Sequence, residues 1–296
     1  MKVGVMLPQA AEDGDGGTWR GIVALARQAE AGGLDSIWLS DHFSHHADDG
    51  SETGYHEPWS LLAALATATD RVELGTLVLA TSFRPPGLLA KMAATTDDIA
   101  AGRLILGIGC GWHEPEYRAF GYPFDHRVGR FEESLKVIDP LLCGERVTFE
   151  GRWTRVEGAA ILPPPQRRVP IVIAAKGERM LRLTARYADA WQIAWFGLPD
   201  ERFASLRAGL LEACRLEGRD ATTLEQTVGI DVAGPDDTVD SVGPRTLALD
   251  AGALAEGLAT WREAGVDHVQ LGLVSATERT YDVVIEAVRR FRAGAT

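Results

Sequence analysis

Three stretches of this chain carry residue types and spacings suited to chemistry. Leu104–Trp112 is an unbroken aliphatic run that passes into glycines at 107, 109 and 111 and ends on a tryptophan. It has the form of a strand buried on both faces, and its glycine exit lacks the side chains that would keep a flat ligand off the backbone. A glycine-rich strand exit with no ligand reads the same way. Ala174, Ala175, Lys176, Gly177, Glu178 and Arg179 form a small-residue loop that opens a helical pattern. Free backbone N–H groups and the helix dipole would favour a phosphate there, although an ordinary tight turn has the same composition and Glu178 must point away from any anion. Asp41, His42, His45, His46, Asp48, Asp49 and His56 gather imidazoles and carboxylates in one polar stretch. Their spacing matches no recognised zinc motif, so no metal is expected. Cys110 has no defined base beside it and reads as a small buried residue, not a nucleophile.

The chain around these stretches has 296 residues, 46% of them hydrophobic and 24% charged, with a net charge of −12. These are ordinary globular values, and the acidic balance argues against a nucleic-acid partner. No apolar run reaches bilayer length, and Met1–Leu7 enters an apparent strand without a signal-peptide profile, so the expected location is cytoplasmic, with no membrane partner. Three cysteines at unrelated spacings argue against a disulfide framework.

The elements that must position the chemistry alternate along the chain. Strands are expected at 2–7, 36–39, 72–78, from 104, at 169–174, 190–194, 227–232 and 268–273. Helices are expected at 19–31, 57–69, 86–101, 128–142, 178–187, 200–217, 253–264 and 277–291. Residues 40–55 read as a polar connection, 113–126 as a loop, and 234–250 as a mobile loop. The rhythm breaks once, before strand five, where 144–170 carries an apparent hairpin and the proline run Pro163–Pro165. Eight strand–helix units with this insertion make the chain a single domain, 1–296, of (β/α)₈ TIM-barrel architecture. Active sites of such barrels lie at the strand exits. Exit two is Ser40-Asp41-His42-Phe43, exit three Ala80-Thr81-Ser82-Phe83-Arg84, exit four Gly109-Cys110-Gly111-Trp112-His113, and exit five the loop from Ala174. Trp38, Trp112, Trp191 and Trp195 are all readable as core, and Trp112 and Trp195, both at exits, are the two expected against a ring system. His113, Glu114 and Glu116 leave polar chemistry open beside exit four, although Glu114 and Glu116 read more readily as solvated loop residues.

Met6-Leu7-Pro8, the string Gly33–Phe43, Leu74–Val78, Gly107–Trp112 and Arg182–Trp191, in this order, resemble the bacterial luciferase-like superfamily over nearly the whole chain. The resemblance implies a barrel that binds a flavin or the deazaflavin coenzyme F420. Ala174–Gly177 and Ser40–Phe43 are similar to the F420-dependent branch, which implies hydride transfer between F420 and a small organic substrate. The alternatives are a two-component monooxygenase using reduced FMN, fed by a separate reductase partner, and a non-catalytic flavin-binding protein. Deazaflavin-dependent sugar-phosphate enzymes place a catalytic glutamate just after the exit-four glycines, where this chain has Trp112, so sugar phosphate is not the expected substrate. The residues implied at the cofactor are Asp41, Leu77, Val78, Thr81, Gly109, Gly111, Trp112, Ala174, Ala175, Lys176, Gly177 and Arg179. His42 is the implied catalytic group, an imidazole able to exchange a proton near neutral pH. The resemblance further implies a non-proline cis peptide between Leu77 and Val78, bulging behind the central ring, and a homodimer packed through 57–69 and 86–101.

Overall fold

The computed structural model describes residues 1–10, 16–46, 50–234, 237 and 246–294. Asp48, Asp49 and most of the 234–250 loop lie outside the described residues. Eight parallel strands pair in sequence order: β1 (Lys2–Met6), β2 (Ser36–Leu39), β3 (Glu73–Thr76), β4 (Leu104–Gly109), β5 (Ile171–Ala174), β6 (Ala190–Phe196), β7 (Glu225–Ala233) and β8 (His268–Leu273). The barrel closes where β1 meets β8, with Val3 opposite Val269 and Val5 opposite Leu271. Helices α1 (Trp19–Ala31), α2 (Pro58–Ala68), α3 (Pro86–Ile99), α5 (Arg127–Leu142), α6 (Glu178–Tyr187), α7 (Glu201–Glu217), α8 (Ala251–Glu263) and α9 (Glu278–Ala293) follow the strands in turn. The short α4 (Glu114–Ala119) precedes α5 within the fourth connection, where the sequence pattern reads only as loop.

Strand alternation sorts the side chains into two compartments. Val3, Val5, Ile37, Leu39, Leu104, Leu106, Ile171, Ile173, Val228, Ile230, Val269 and Leu271 are buried in the large core between sheet and helices. The alternate residues face the barrel interior, where Trp38, Ile105, Val172 and Ala190 pack together. Trp38 is fully buried, and its indole N–H donates to Ser36 Oγ at 2.7 Å, which lies 2.7 Å from His268 Nε2. Burial pushes His268 down to about 3, so the plug is made of neutral groups. It fits because Gly75 faces it: a Cβ there would lie 2.2 Å from the Trp38 ring.

Two hairpins decorate the barrel. Ser44–His46 pairs antiparallel with Glu52–Gly54 inside the connection read as merely polar. Val147–Glu150 pairs with Arg155–Ala159 in the expected insertion before β5. Its turn is fastened to α5 by Glu133, whose carboxylate accepts the backbone N–H groups of Arg152, Trp153 and Thr154 at 2.7, 2.9 and 2.9 Å. Helix starts follow their caps: Glu57 accepts from Trp59 and Ser60 N–H, Asp200 from Phe203 N–H, and Thr277 shares a capping box with Thr280. The third strand is shorter than expected. It stops at Thr76, and Leu79–Ala80 resumes pairing with β4 after an interruption at Leu77–Val78.

Gly75→Ala forces Trp38 out of a closely packed plug and is expected to cost about 1–3 kcal/mol. A urea midpoint indistinguishable from wild type at unchanged slope would contradict this packing.

Candidate functional site

A cavity of about 580 Å³ opens at the C-terminal ends of β2 to β6. Leu77 and Val78 line it, and the bond between them is cis, as the family resemblance implies. A second non-proline cis bond joins Ala194 to Trp195, where β6 shifts register against β7 between Ile193 and Phe196; nothing in the sequence pattern marks it. The exit of β4 supplies Gly109, Gly111 and Trp112. Gly111 has φ +73°, and a Cβ there would collide with Tyr117 Oη, so only glycine serves. The loop is pinned by Tyr117 Oη donating to Cys110 O at 3.2 Å and by Arg127 donating to Gly111 O at 2.6 Å. Trp112 is 62% exposed, and Trp195 also lines the cavity.

His42 and Glu116 meet on the cavity wall. Glu116 is 1% exposed, which overturns its reading as a solvated loop residue. Its carboxylate accepts the Phe43 and Ser44 N–H groups and lies 3.1 Å from His42 Nδ1. Burial opposes its charge, but the His42 contact and the two backbone donors outweigh it and hold the carboxyl below the ordinary 4.5. With Nδ1 engaged, Nε2 is the ring nitrogen left for exchange with a ligand. Around it lie Trp112, His113 and Tyr55, with ring centroids 5.8, 6.2 and 5.7 Å from that of His42. His45 stacks on His113 at 4.6 Å. The histidines form an aromatic packing cluster, and no set of three or more metal-ligating side chains is found among the described residues.

Asp41 lines the cavity, but its oxygens are engaged elsewhere. Oδ2 accepts from Ala80 N–H at 2.8 Å and Arg84 Nη1 at 2.9 Å, and Oδ1 accepts from Arg84 Nη2 at 2.9 Å. Arg84 also donates to Glu57 at 2.6 Å. Asp41 therefore ties exit two to exit three through a bidentate pair.

At the other end of the cavity Ala174, Ala175, Lys176 and Gly177 line the wall, and Gly177 is the N-cap of α6 with no side chain satisfying the first-turn N–H groups. Arg202, whose charge reaches Lys176, donates to Trp195 O at 2.6 Å. Two expected residues are not brought to the cavity. Arg179 is turned outward and paired with Glu132 at 2.7 Å, because the second residue of α6 lies on its solvent side. Thr81 is buried, with its hydroxyl directed to Gly109 O at 3.5 Å, and opens onto a separate groove. Glu116, Tyr117, Arg127, Gln192 and Trp195 line the cavity without a place in the set implied at the cofactor. Of these only Trp195 carries a sequence signal, its position at a strand exit.

Glu116→Gln leaves a weaker acceptor for two buried donors and is expected to cost about 1–3 kcal/mol at neutral pH. Because the folded pKa of Glu116 is lowered, its charge stabilises the fold above pH 4.5, and this contribution is lost as pH falls through the folded value. The stability gap between wild type and variant, followed by denaturant titration, should narrow in acid. A gap constant with pH would refute the ionised clasp.

Residues 1–240 match the family model for luciferase-like monooxygenases. The chain is 32% identical over 218 residues to the F420-dependent glucose-6-phosphate dehydrogenase of Mycobacterium leprae (strain Br4923), covering 71% of this chain and 64% of the relative, slightly under two thirds of its length. Among solved structures, an F420-dependent secondary alcohol dehydrogenase in complex with an F420-acetone adduct superposes with a TM-score of 0.82 at 20% identity, covering 98% of this chain and 99% of that one. EDTA monooxygenase from Chelativorans sp. BNC1 does so with a TM-score of 0.82 at 15% identity over 99% and 94%. These two likenesses concern the fold. With the barrel, the glycine exit of β4 and a family match over residues 1–240, the chain belongs to the luciferase-like monooxygenase family.

Proposed function

We propose that this protein is an oxidoreductase that moves a hydride between coenzyme F420 and a small organic substrate. The observation that carries the reading is the His42–Glu116 pair, an imidazole oriented by a buried carboxylate, on the wall of a cavity also lined by the apolar side chains of Leu77, Val78 and Ala174. Apolar side chains at the ends of β3 and β5 offer a planar ring a wall to lie against, and the uncapped start of α6 with Lys176 and Arg202 suits a phosphate. A bound deazaflavin supplies the hydride donor or acceptor. The chain supplies the matching proton: Glu116 holds Nδ1, Nε2 gives or takes the proton, and the carboxylate stabilises the imidazolium between these events. Support for F420 comes from the relatives that carry it in their names.

An FMN-dependent monooxygenase is the second reading, favoured by the family's description and by the fold shared with EDTA monooxygenase. Titration of each cofactor, followed by its fluorescence, separates the two. F420 is expected to bind more tightly than FMN, and His42→Ala to lower F420-dependent turnover by about 10²-fold or more with little change in cofactor affinity. Tighter FMN binding, or full turnover in the variant, would overturn the assignment.

We further infer a homodimer. Leu88 and Ile99 on α3 are 51% and 47% exposed, and with Met92 and Thr95 they follow a 4-3-4 spacing along one helix face. An apolar stripe of this kind is suited to a second copy of the same helix. Sedimentation should show two chains per particle, shifting towards one in Ile99→Glu. A monomeric wild type would exclude the association.

A further inference from the structure

Asp231 is a carboxyl group that the reaction described above does not use. It lies on β7 between Ile230 and Val232, both of which are buried on the helix side, so alternation directs it into the barrel mouth. Its register partner is Gly272 on β8, and a Cβ on Gly272 would lie 3.6 Å from Asp231 Oδ1 and 3.0 Å from the Trp195 ring. The carboxyl oxygen and the indole ring are therefore neighbours over Gly272. The same indole covers Gly229, one inward position below Asp231, where a Cβ would lie 2.8 Å from the ring. Trp195 lines the cavity that His42 lines and is 36% exposed.

Several other buried or half-buried carboxylates have a clear partner. Asp41 has Arg84, Asp97 has Arg167, Glu116 has His42 and two backbone N–H groups, and Glu133 has three. Among the described residues Asp231 has no hydrogen-bond or ion-pair partner. Burial pushes its carboxyl up to about 6 with nothing opposing the shift, so the folded chain bears the penalty of a poorly solvated charge. A cation beside the carboxylate would relieve that penalty and come within reach of the adjacent indole as well. The basic groups at the β5 and β6 exits are Lys176 and Arg202, and Arg202 is held against Trp195 O and over the Phe196 ring at 3.7 Å.

We propose that Asp231 and Trp195 form a subsite for a cationic group of the substrate, an ammonium or guanidinium, next to the redox cavity that Trp195 lines. The proposal rests on the reading of this cavity as the place where substrate reacts, and it narrows the substrate class to small organic molecules bearing a basic nitrogen. The carboxylate takes the charge while the indole face covers the adjoining methylenes.

The test uses the full chain without cofactor at pH 8, with tryptophan fluorescence and calorimetry as readouts and benzylammonium, benzyl alcohol and benzoate as probes. Benzylammonium is expected to bind wild type at least about 10-fold more tightly than Asp231→Asn, as is common when a charge-assisted pair is removed. Benzyl alcohol should bind the two alike, and benzoate should be the weakest ligand of the wild type. Trp195→Leu should weaken benzylammonium more than benzyl alcohol. Equal benzylammonium affinity in wild type and Asp231→Asn, or benzyl alcohol binding wild type as tightly as benzylammonium, would overturn the subsite. F420 titrations of wild type and Asp231→Asn run alongside: failure of F420 to bind wild type would sink the redox reading and leave the amine result standing, whereas F420 binding without amine selectivity would sink only the subsite.

Discussion

A single buried carboxylate organises the mouth of this barrel. Glu116 projects from the short α4 into the connection after β2, where it holds two consecutive backbone N–H groups and the His42 ring. Burying a charge costs several kcal/mol unless donors surround it, so the Phe43–Ser44 backbone has to adopt the conformation that supplies them. The orientation of the imidazole follows from that requirement. One residue earlier, Asp41 imposes a similar demand on the other side and draws Arg84 and Ala80 inward. Exits two, three and four are thus tied by ionic contacts between segments far apart in sequence, and the cavity has its form because those pairs must be satisfied together.

The glycines have a complementary role. A barrel of eight strands has room inside for only a few large side chains. Trp38 takes the lower space against Gly75, and Trp195 takes the upper space against Gly229 and Gly272. Each indole depends on bare backbone opposite it. The tryptophans and glycines of the interior therefore act as matched pairs, and the volume left between the two rings and the β4 exit is where a ligand can enter.

Much of this was legible in the sequence. Eight apolar runs separated by amphipathic stretches are a strong periodic signal, and β2, α1, α6 and β8 have the boundaries the pattern predicts. Ala174 to Gly177 and His42 are local features at strand exits, and all of them line the cavity. What the pattern misses is of two kinds. α4 has six residues, too few for helical periodicity to show, so Glu116 was indistinguishable from a solvated glutamate. Arg179 and Thr81 are adjacent in sequence to genuine lining residues, but the rotation of the first turn of α6 and the 3₁₀ turn at Thr81–Phe83 carry their side chains away. Such rotations depend on where the helix begins, which composition does not determine.

The hairpin before β5 is anchored at its tip. Glu133 grips the 151–154 turn so closely that a Cβ on Gly151 would strike the carboxylate. A loop held only at its two ends can swing as a flap, whereas one clasped at its far end is a strut between its own base and α5. Length changes near the base, around the Pro163–Pro165 run, can be absorbed locally while the tip keeps its place. The proline run is consequently the part of the insertion where relatives of this chain can differ in length without disturbing the helix beneath, and the four tip residues are the part that any graft onto this scaffold would have to preserve.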